Sequence, residues 1–181
     1  MARLIYSATM SLDGFIAGPG GDMSWLTEYL GQNPQVDELI REVGALLVGA
    51  RSFAGDDPYK GVPEKEGKAF GGGWSGPQFV VSHARPAGPV EGVTFVDDLE
   101  RAVRQAKAAA GDKYVNVIGA NIAKQCLDIG VLDDIFVCIA PVLLGDGVPL
   151  FACPGGTRIR LERRAVGQAP LATVMWTRVV R

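Results

Sequence analysis

Four short segments carry turns or side chains able to do chemistry. In the first, an apolar strand runs into Gly119-Ala120-Asn121 and a short amphipathic helix follows. A turn of small residues between strand and helix lets a phosphate approach the backbone, and the helix N–H groups then point at it. Gly119, Ala120, Asn121 and Ile122 are therefore candidate phosphate contacts, with close packing as the competing reason for the glycine. In the second, Arg51 follows Gly49 at the end of a buried strand, where a guanidinium can hold a phosphate through two parallel hydrogen bonds. Its alternative is a surface ion pair with Asp56 or Asp57. In the third, Ser82 and His83 close another strand and suit contacts to a 2′-phosphate or an adenine, or a purely structural place. The fourth lies around the first loop, where Asp13, Asp22 and Glu28 can act as acids or orient a substrate. Asp13 precedes Gly14 and equally suits turn formation. Asp22 is equally placed to cap the Met23 to Leu30 segment.

Other chemistries lack their residues. There is no Gly-x-Ser-x-Gly elbow, and a single histidine, His83, leaves one possible triad base. Three cysteines without a Cys-x-x-Cys spacing make no zinc site, and Cys126 and Cys138 sit in apolar patterns as buried small residues. A net charge of −2 points to neither nucleic acid nor membrane. Arg158, Arg160, Arg163 and Arg164 gather near the end, but Glu162 interrupts them, as on a solvated strand edge. No apolar run approaches the roughly 20 residues of a membrane span. The start lacks a signal-peptide pattern, so a reducing cytoplasm is the expected compartment.

The elements that must position these residues follow from punctuation and period. With 181 residues and 48% hydrophobic composition, the chain suits one domain over 1–181 with a full core. Strands are expected over Arg3 to Met10, Ala45 to Val48, Gln78 to Ser82, Val93 to Val96, Tyr114 to Ile118 and Ile135 to Leu144. Phe15 to Ala17 is a short apolar return, and the Gly18-Pro19-Gly20-Gly21 loop after it suits a lid or a plain long turn. Asn33-Pro34 opens a helix, Asn as cap and Pro at its first position, with Gly44 as its stop. Asp97 and Glu100 have capping-box spacing before a second helix that ends at Gly111. A third helix runs from about Ala120 to Gly130. Residues 54 to 77 show no periodicity and read as a long loop. Arg158 to Val166 and Thr173 to Val180 read as an antiparallel C-terminal hairpin. Strands alternating with helices make this an α/β chain. In such sheets, ligands bind outside the carboxyl ends of the parallel strands, where Thr9 to Ile16, Gly49 to Phe53, Ser82-His83 and Gly119 to Ile122 fall. Gly119-Ala120-Asn121 is not a Gly-x-Gly-x-x-Gly fingerprint, so a standard Rossmann site is disfavoured.

Several segments together resemble one family. SLDGFIAGPGGDMSWL, LLVGARSF, FVVSHARP and VNVIGANIAKQCLDIGVLDDIFVCIAPVLLGDGVPLF occur in order over nearly the whole chain. They are similar to the dihydrofolate-reductase-like superfamily, most of all to the reductase domain of the bifunctional riboflavin-biosynthesis deaminase-reductase. The resemblance implies a central, mostly parallel eight-stranded sheet flanked by helices, NADPH as hydride donor, a small-molecule substrate and often a homodimer. By position, Thr9 and Ile16 would flank the nicotinamide. Gly49, Arg51 and Ser52 would hold phosphates, Ser82 and His83 would lie by the 2′-phosphate, and Gly119 to Ile122 would meet the pyrophosphate.

Departures shape the expected function. Nothing matches the deaminase's His-x-Glu and Pro-Cys-x-x-Cys pattern. Folate reductases of the superfamily place a carboxylate on the first helix facing the pterin. Trp25 matches a tryptophan of that region, but Glu28 does not align with the acid. The expectation is an NADPH-dependent reductase acting on a ribosylamino-pyrimidine or another small heterocycle, with Asp13 and Asp22 as candidate catalytic carboxylates. Dihydrofolate reduction and a non-catalytic nucleotide-binding module are the alternatives.

Overall fold

The computed structural model describes residues 1–84 and 88–181. Strand β1 (Leu4–Ser11) leads through β2 (Phe15–Ala17) and two 3-10 turns, Pro19–Gly21 and Ser24–Tyr29, to helix α1 (Pro34–Arg41). Then come β3 (Val43–Gly49), the single turn α2 (Ala50–Phe53), a 3-10 turn at Ala69–Gly72, β4 (Gln78–Val81) and β5 (Val93–Val96). The order continues with α3 (Leu99–Ala110), β6 (Tyr114–Ile118), α4 (Ala120–Asp128), β7 (Leu132–Ala140), β8 (Val148–Pro149), β9 (Leu161–Ala169) and β10 (Ala172–Val179).

Eight strands form one sheet in the order β5-β4-β3-β6-β1-β7-β10-β9, and β2 pairs with β8 in a separate ribbon. The first six in that order run parallel, while β10 pairs antiparallel with both β7 and β9. The expected α/β sheet with its antiparallel C-terminal hairpin is thus borne out. Alternation along each strand splits the core in two. Leu4 and Tyr6 join Leu47, Val115 and Val117 beneath α3 and α4. Ile5 faces the other way, with Leu46, Val48 and Phe136, beneath Leu39 of α1. Leu4, Ile5, Leu46 and Leu47 are fully buried, each worth about 1.5–3 kcal/mol of transfer free energy.

Three boundaries differ from the expected ones. Gly44 does not stop α1. It lies inside β3, at a point where a side chain would meet the Ala110 backbone at the end of α3. The cap of α3 is Asp98, whose carboxylate accepts from Arg101 N at 2.7 Å. Asp97 instead pairs with the Arg101 guanidinium, and Glu100 with Arg104, so the capping box does not form. Strand β7 begins at Leu132 rather than Ile135. Asp134 is polar yet fully buried in it, with the guanidinium of Arg3 at 2.7 Å and that of Arg164 at 3.4 Å. Pro141 follows its last residue and cannot extend the ladder.

Residues 54–77 are more organised than their composition suggests. Asp57 accepts from Tyr59 N and Gly67 N, and Glu66 from Gly61 N. Trp74 Nε1 donates to Val43 O at 3.0 Å, and Phe70 and Trp74 pack onto the core beneath α1. Among the described residues no helix is long and apolar enough to cross a membrane.

Candidate functional site

The parallel order puts the carboxyl ends of β1, β3, β4 and β6 along one edge, so the four candidate segments share it. Two of them touch. Gly49 closes β3 against Ile122, whose Cγ2 would be 3.4 Å from any Cβ added there. Gly119 closes β6 at φ 111°, and a side chain on it would run into Ser52 Oγ. The turn into α2 and the turn into α4 therefore form one continuous wall. Gly119 offers no side-chain cap to α4, and the first intrahelical bond runs from Ala123 N to Gly119 O. The N–H groups of Ala120, Asn121 and Ile122 remain as the free donors of that helix start. Ile122 is buried, whereas Asn121 is exposed and accepts from Gln125 Nε2 at 2.6 Å.

Arg51 is exposed on α2 and, among the described residues, has no carboxylate within ion-pair distance. The acids that might have held it are engaged elsewhere. Asp56 takes Lys60 at 3.8 Å and Met23 N at 3.1 Å, while Asp57 takes the amides of its own loop. Ser82 N donates to Val96 O, and its hydroxyl turns back on Ala84. His83 is exposed just beyond it. Both follow the last residue of β4, the strand next to β3.

Thr9 sits near the end of β1, paired with Cys138 of β7. The Asn33 amide reaches the Cys138 sulfur at 3.6 Å while its oxygen caps α1 through Val36 N. Burial pushes the Cys138 thiol up to about 11, against hydrogen bonds from Thr9 and Asn33 that favour the thiolate. The thiol stays protonated at neutral pH and is no nucleophile. This Thr9, Asn33 and Cys138 group was missed as a unit, because its members come from three distant segments that only sheet pairing joins. Ile16 is half-buried in the middle of β2.

The two candidate catalytic carboxylates are occupied. Asp13 Oδ1 accepts from Leu144 N at 3.1 Å and Oδ2 from Gly145 N at 2.7 Å. The Ser11 hydroxyl first, then the amides of Gly145 and Leu144, hold its carboxyl below the usual carboxylate range. Asp22 accepts from Ser24 N and Ser24 Oγ, both at 3.0 Å, and these bonds lower its carboxyl too. The arrangement keeps both ionised at neutral pH, with oxygens committed to backbone and hydroxyl donors. Glu28 is exposed. The Trp25 indole N–H is buried without a hydrogen-bond partner among the described residues. Two hydrogen bonds tie this segment to the loop after α2: Met23 N to Asp56 and Thr27 Oγ1 to Pro58 O, at 3.1 Å each.

Comparison with known proteins places the chain. Two proteins of Bacillus subtilis, both described as uncharacterized, match most of it. YwjB is 25% identical over 171 residues, covering 92% of this chain and 94% of its own. YyaP is 24% identical over 152 residues, covering 82% and 80%. Among solved structures, a putative riboflavin biosynthesis protein from Shewanella superposes with TM-score 0.74 at 23% identity, over the whole of both chains. A diaminohydroxyphosphoribosylaminopyrimidine deaminase/5-amino-6-(5-phosphoribosylamino)uracil reductase from Thermotoga maritima gives 0.70 at 19%, with 99% of this chain matching 57% of that one. Dihydrofolate reductase from Enterococcus faecalis complexed with NADP(H) gives 0.57 at 15%, over 98% and 95%. The fold is that of the dihydrofolate-reductase-like superfamily. The family model described as RibD C-terminal domain matches residues 2–169, and the chain belongs to that family.

Proposed function

We propose that the protein is an NADPH-dependent reductase acting on a ribosylamino-pyrimidine or a closely similar small heterocycle. One observation carries this reading: the wall formed by Gly49–Ser52 and Gly119–Ile122, with an exposed, unpaired Arg51 on it. Gly119 keeps backbone where a side chain would run into Ser52, and Gly49 lies in van der Waals reach of Ile122, so the wall suits close approach of a pyrophosphate. Bound NADPH would supply the hydride to an unsaturated carbon of the substrate. The chain's own residues would bind and orient. The amides at the start of α4 would take the pyrophosphate, and Arg51, Ser52, Ser82 and His83 the phosphates nearer the adenosine. Thr9 and Ile16 would bracket the ring, and the tied loops at Met23 and Asp56 would keep water out.

Family membership and the name of the Thermotoga relative, a 5-amino-6-(5-phosphoribosylamino)uracil reductase, support this substrate class. Folate fits less well. The acids of α1 and its cap, Asp37, Glu38 and Glu42, are all exposed, while Val36 and Leu39 face the core, so α1 aims no carboxylate at the sheet. A homodimer is part of the proposal: β9 is an open edge strand with Leu161 and Val166 exposed, suited to a second copy. Free Cys126, Cys138 and Cys153 fit a reducing compartment such as the cytoplasm.

The test is titration with NADPH and NADH followed by fluorescence, then loss of reduced-nicotinamide absorbance with a substrate panel including ribosylamino-pyrimidines and dihydrofolate. NADPH binding and turnover of the pyrimidine support the reading. Tight binding without turnover on the whole panel would favour a nucleotide-binding module. A chain that binds neither dinucleotide is not a reductase of this kind.

A further inference from the structure

The segments after β1 and after β7 are joined by a series of bonds that local turn formation does not need. Leu12 N donates to Val142 O at 2.8 Å, and Leu150 N to Gly14 O at 2.9 Å. Phe15 pairs with Pro149 and Ala17 with Val148 in the β2–β8 ribbon. Gly147, at φ 140°, lies so close that a side chain there would overlap the Ala17 carbonyl oxygen. Asp13 sits at the tip of this ribbon. Its turn is closed without its carboxylate, by Gly14 N to Ser11 O and Phe15 N to Ser11 Oγ, both at 3.0 Å. Besides meeting the Ser11 hydroxyl, both carboxylate oxygens reach across to the amides of Leu144 and Gly145.

We infer that Asp13 is a positioning residue. Its carboxylate clamps the 144–145 backbone to the β1–β2 turn, which holds β2, and with it Ile16, over the carboxyl ends of β1 and β7. This rests on the proposed reductase function, in which Thr9 and Ile16 bracket the nicotinamide. It replaces two other roles. A proton donor needs a protonated oxygen free to give its proton, and Asp13 is ionised with both oxygens accepting. A turn former closes its own turn with its side chain; here Ser11 closes it, while the Ser11 hydroxyl also steadies the Asp13 carboxylate. Charge-assisted bonds to two amides of one loop fix its distance and orientation together.

The experiment compares wild type with Asp13→Ala and Asp13→Asn in the full chain. Amide hydrogen exchange is read at Leu144 and Gly145. Binding is read for NADPH and for 2′-phospho-adenosine diphosphate ribose, which lacks the nicotinamide. In Asp13→Ala both amides should exchange at least about tenfold faster. NADPH should weaken by about tenfold or more while the fragment binds as in wild type. Asp13→Asn keeps a turn-forming side chain and one acceptor, so it should fold and show a smaller loss in the same direction. If Asp13→Ala does not fold, the asparagine variant alone decides the comparison. Equal weakening of NADPH and fragment, unchanged NADPH binding, or amides that keep their protection would each overturn the inference. A wild-type chain that binds neither ligand overturns the proposed function itself, a result distinct from all of these.

Discussion

Gly119 is the residue on which the site's geometry turns. At φ 111° it holds a backbone conformation that L side chains rarely adopt, and Ser52 fills the space beside it. Gly119→Ala should cost about 1–3 kcal/mol, read as a lower urea midpoint with an unchanged denaturant slope. Arg51 is a second residue-scale case. Its freedom from Asp56 and Asp57 leaves the guanidinium available, and a 2′-phosphate is the group that distinguishes NADPH from NADH. Arg51→Ala should weaken NADPH by about tenfold and NADH much less in fluorescence titrations. Equal loss for both would remove Arg51 from the 2′-phosphate. The small-residue turn at Gly119 was readable from the chain because strand, glycine and helix are contiguous. Its contact with Ser52 was not, because parallel pairing of β3 and β6 creates it.

At the scale of elements, the sequence signals worked where they were local. Asn33 with Pro34, and the glycine after α3, marked ends that the structure keeps. They failed where burial overrode them. Asp133 and Asp134 obscured the first residues of β7, where two arginines, from β9 and the chain start, compensate the charge of Asp134. Loop 54–77 hid its order, because its aromatic residues dock on a core that other segments build. Asn116 in β6 is a further case. It is fully buried, in register between Ile5 of β1 and Leu46 of β3, and among the described residues both ends of its amide lack a partner. An unsatisfied buried amide costs about 1–3 kcal/mol. Asn116→Leu should therefore raise stability by about 1–2 kcal/mol, measured as a higher midpoint in urea. A lower midpoint would mean that the amide is satisfied in solution.

Across the whole molecule, burial also sets how stability responds to pH. Burial pushes Cys126 up to about 12 and Cys138 up to about 11, against about 8.5 for an unfolded cysteine. A raised folded-state value favours the protonated, folded form. The contribution is complete below about pH 8.5 and is lost as pH rises toward the folded values. Urea midpoints should fall across that alkaline window, and Cys126→Ala should flatten the fall. In the native protein a thiol reagent at neutral pH should reach at most Cys153, the one cysteine not buried, and all three after unfolding. Labelling of Cys126 at the native rate of Cys153 would contradict the packing described for α4.

The chain by itself determined its class, its period and its punctuation. Alternating apolar strands, helix caps and glycine turns are written within a few residues of one another, and they sufficed for an α/β sheet with an antiparallel end. They also sufficed to name the turns at Gly49 and Gly119 and to put Ser82 at a strand's carboxyl end. What Asp13 does was decided only by the tertiary structure. In the sequence it is an acid before a glycine, equally suited to a turn or to proton transfer. In the fold its partners are Leu144 and Gly145, brought across by the pairing of β1 with β7 and of β2 with β8. A carboxylate's role depends on which donors reach its two oxygens, and contacts so distant along the chain exist only once the sheet has formed.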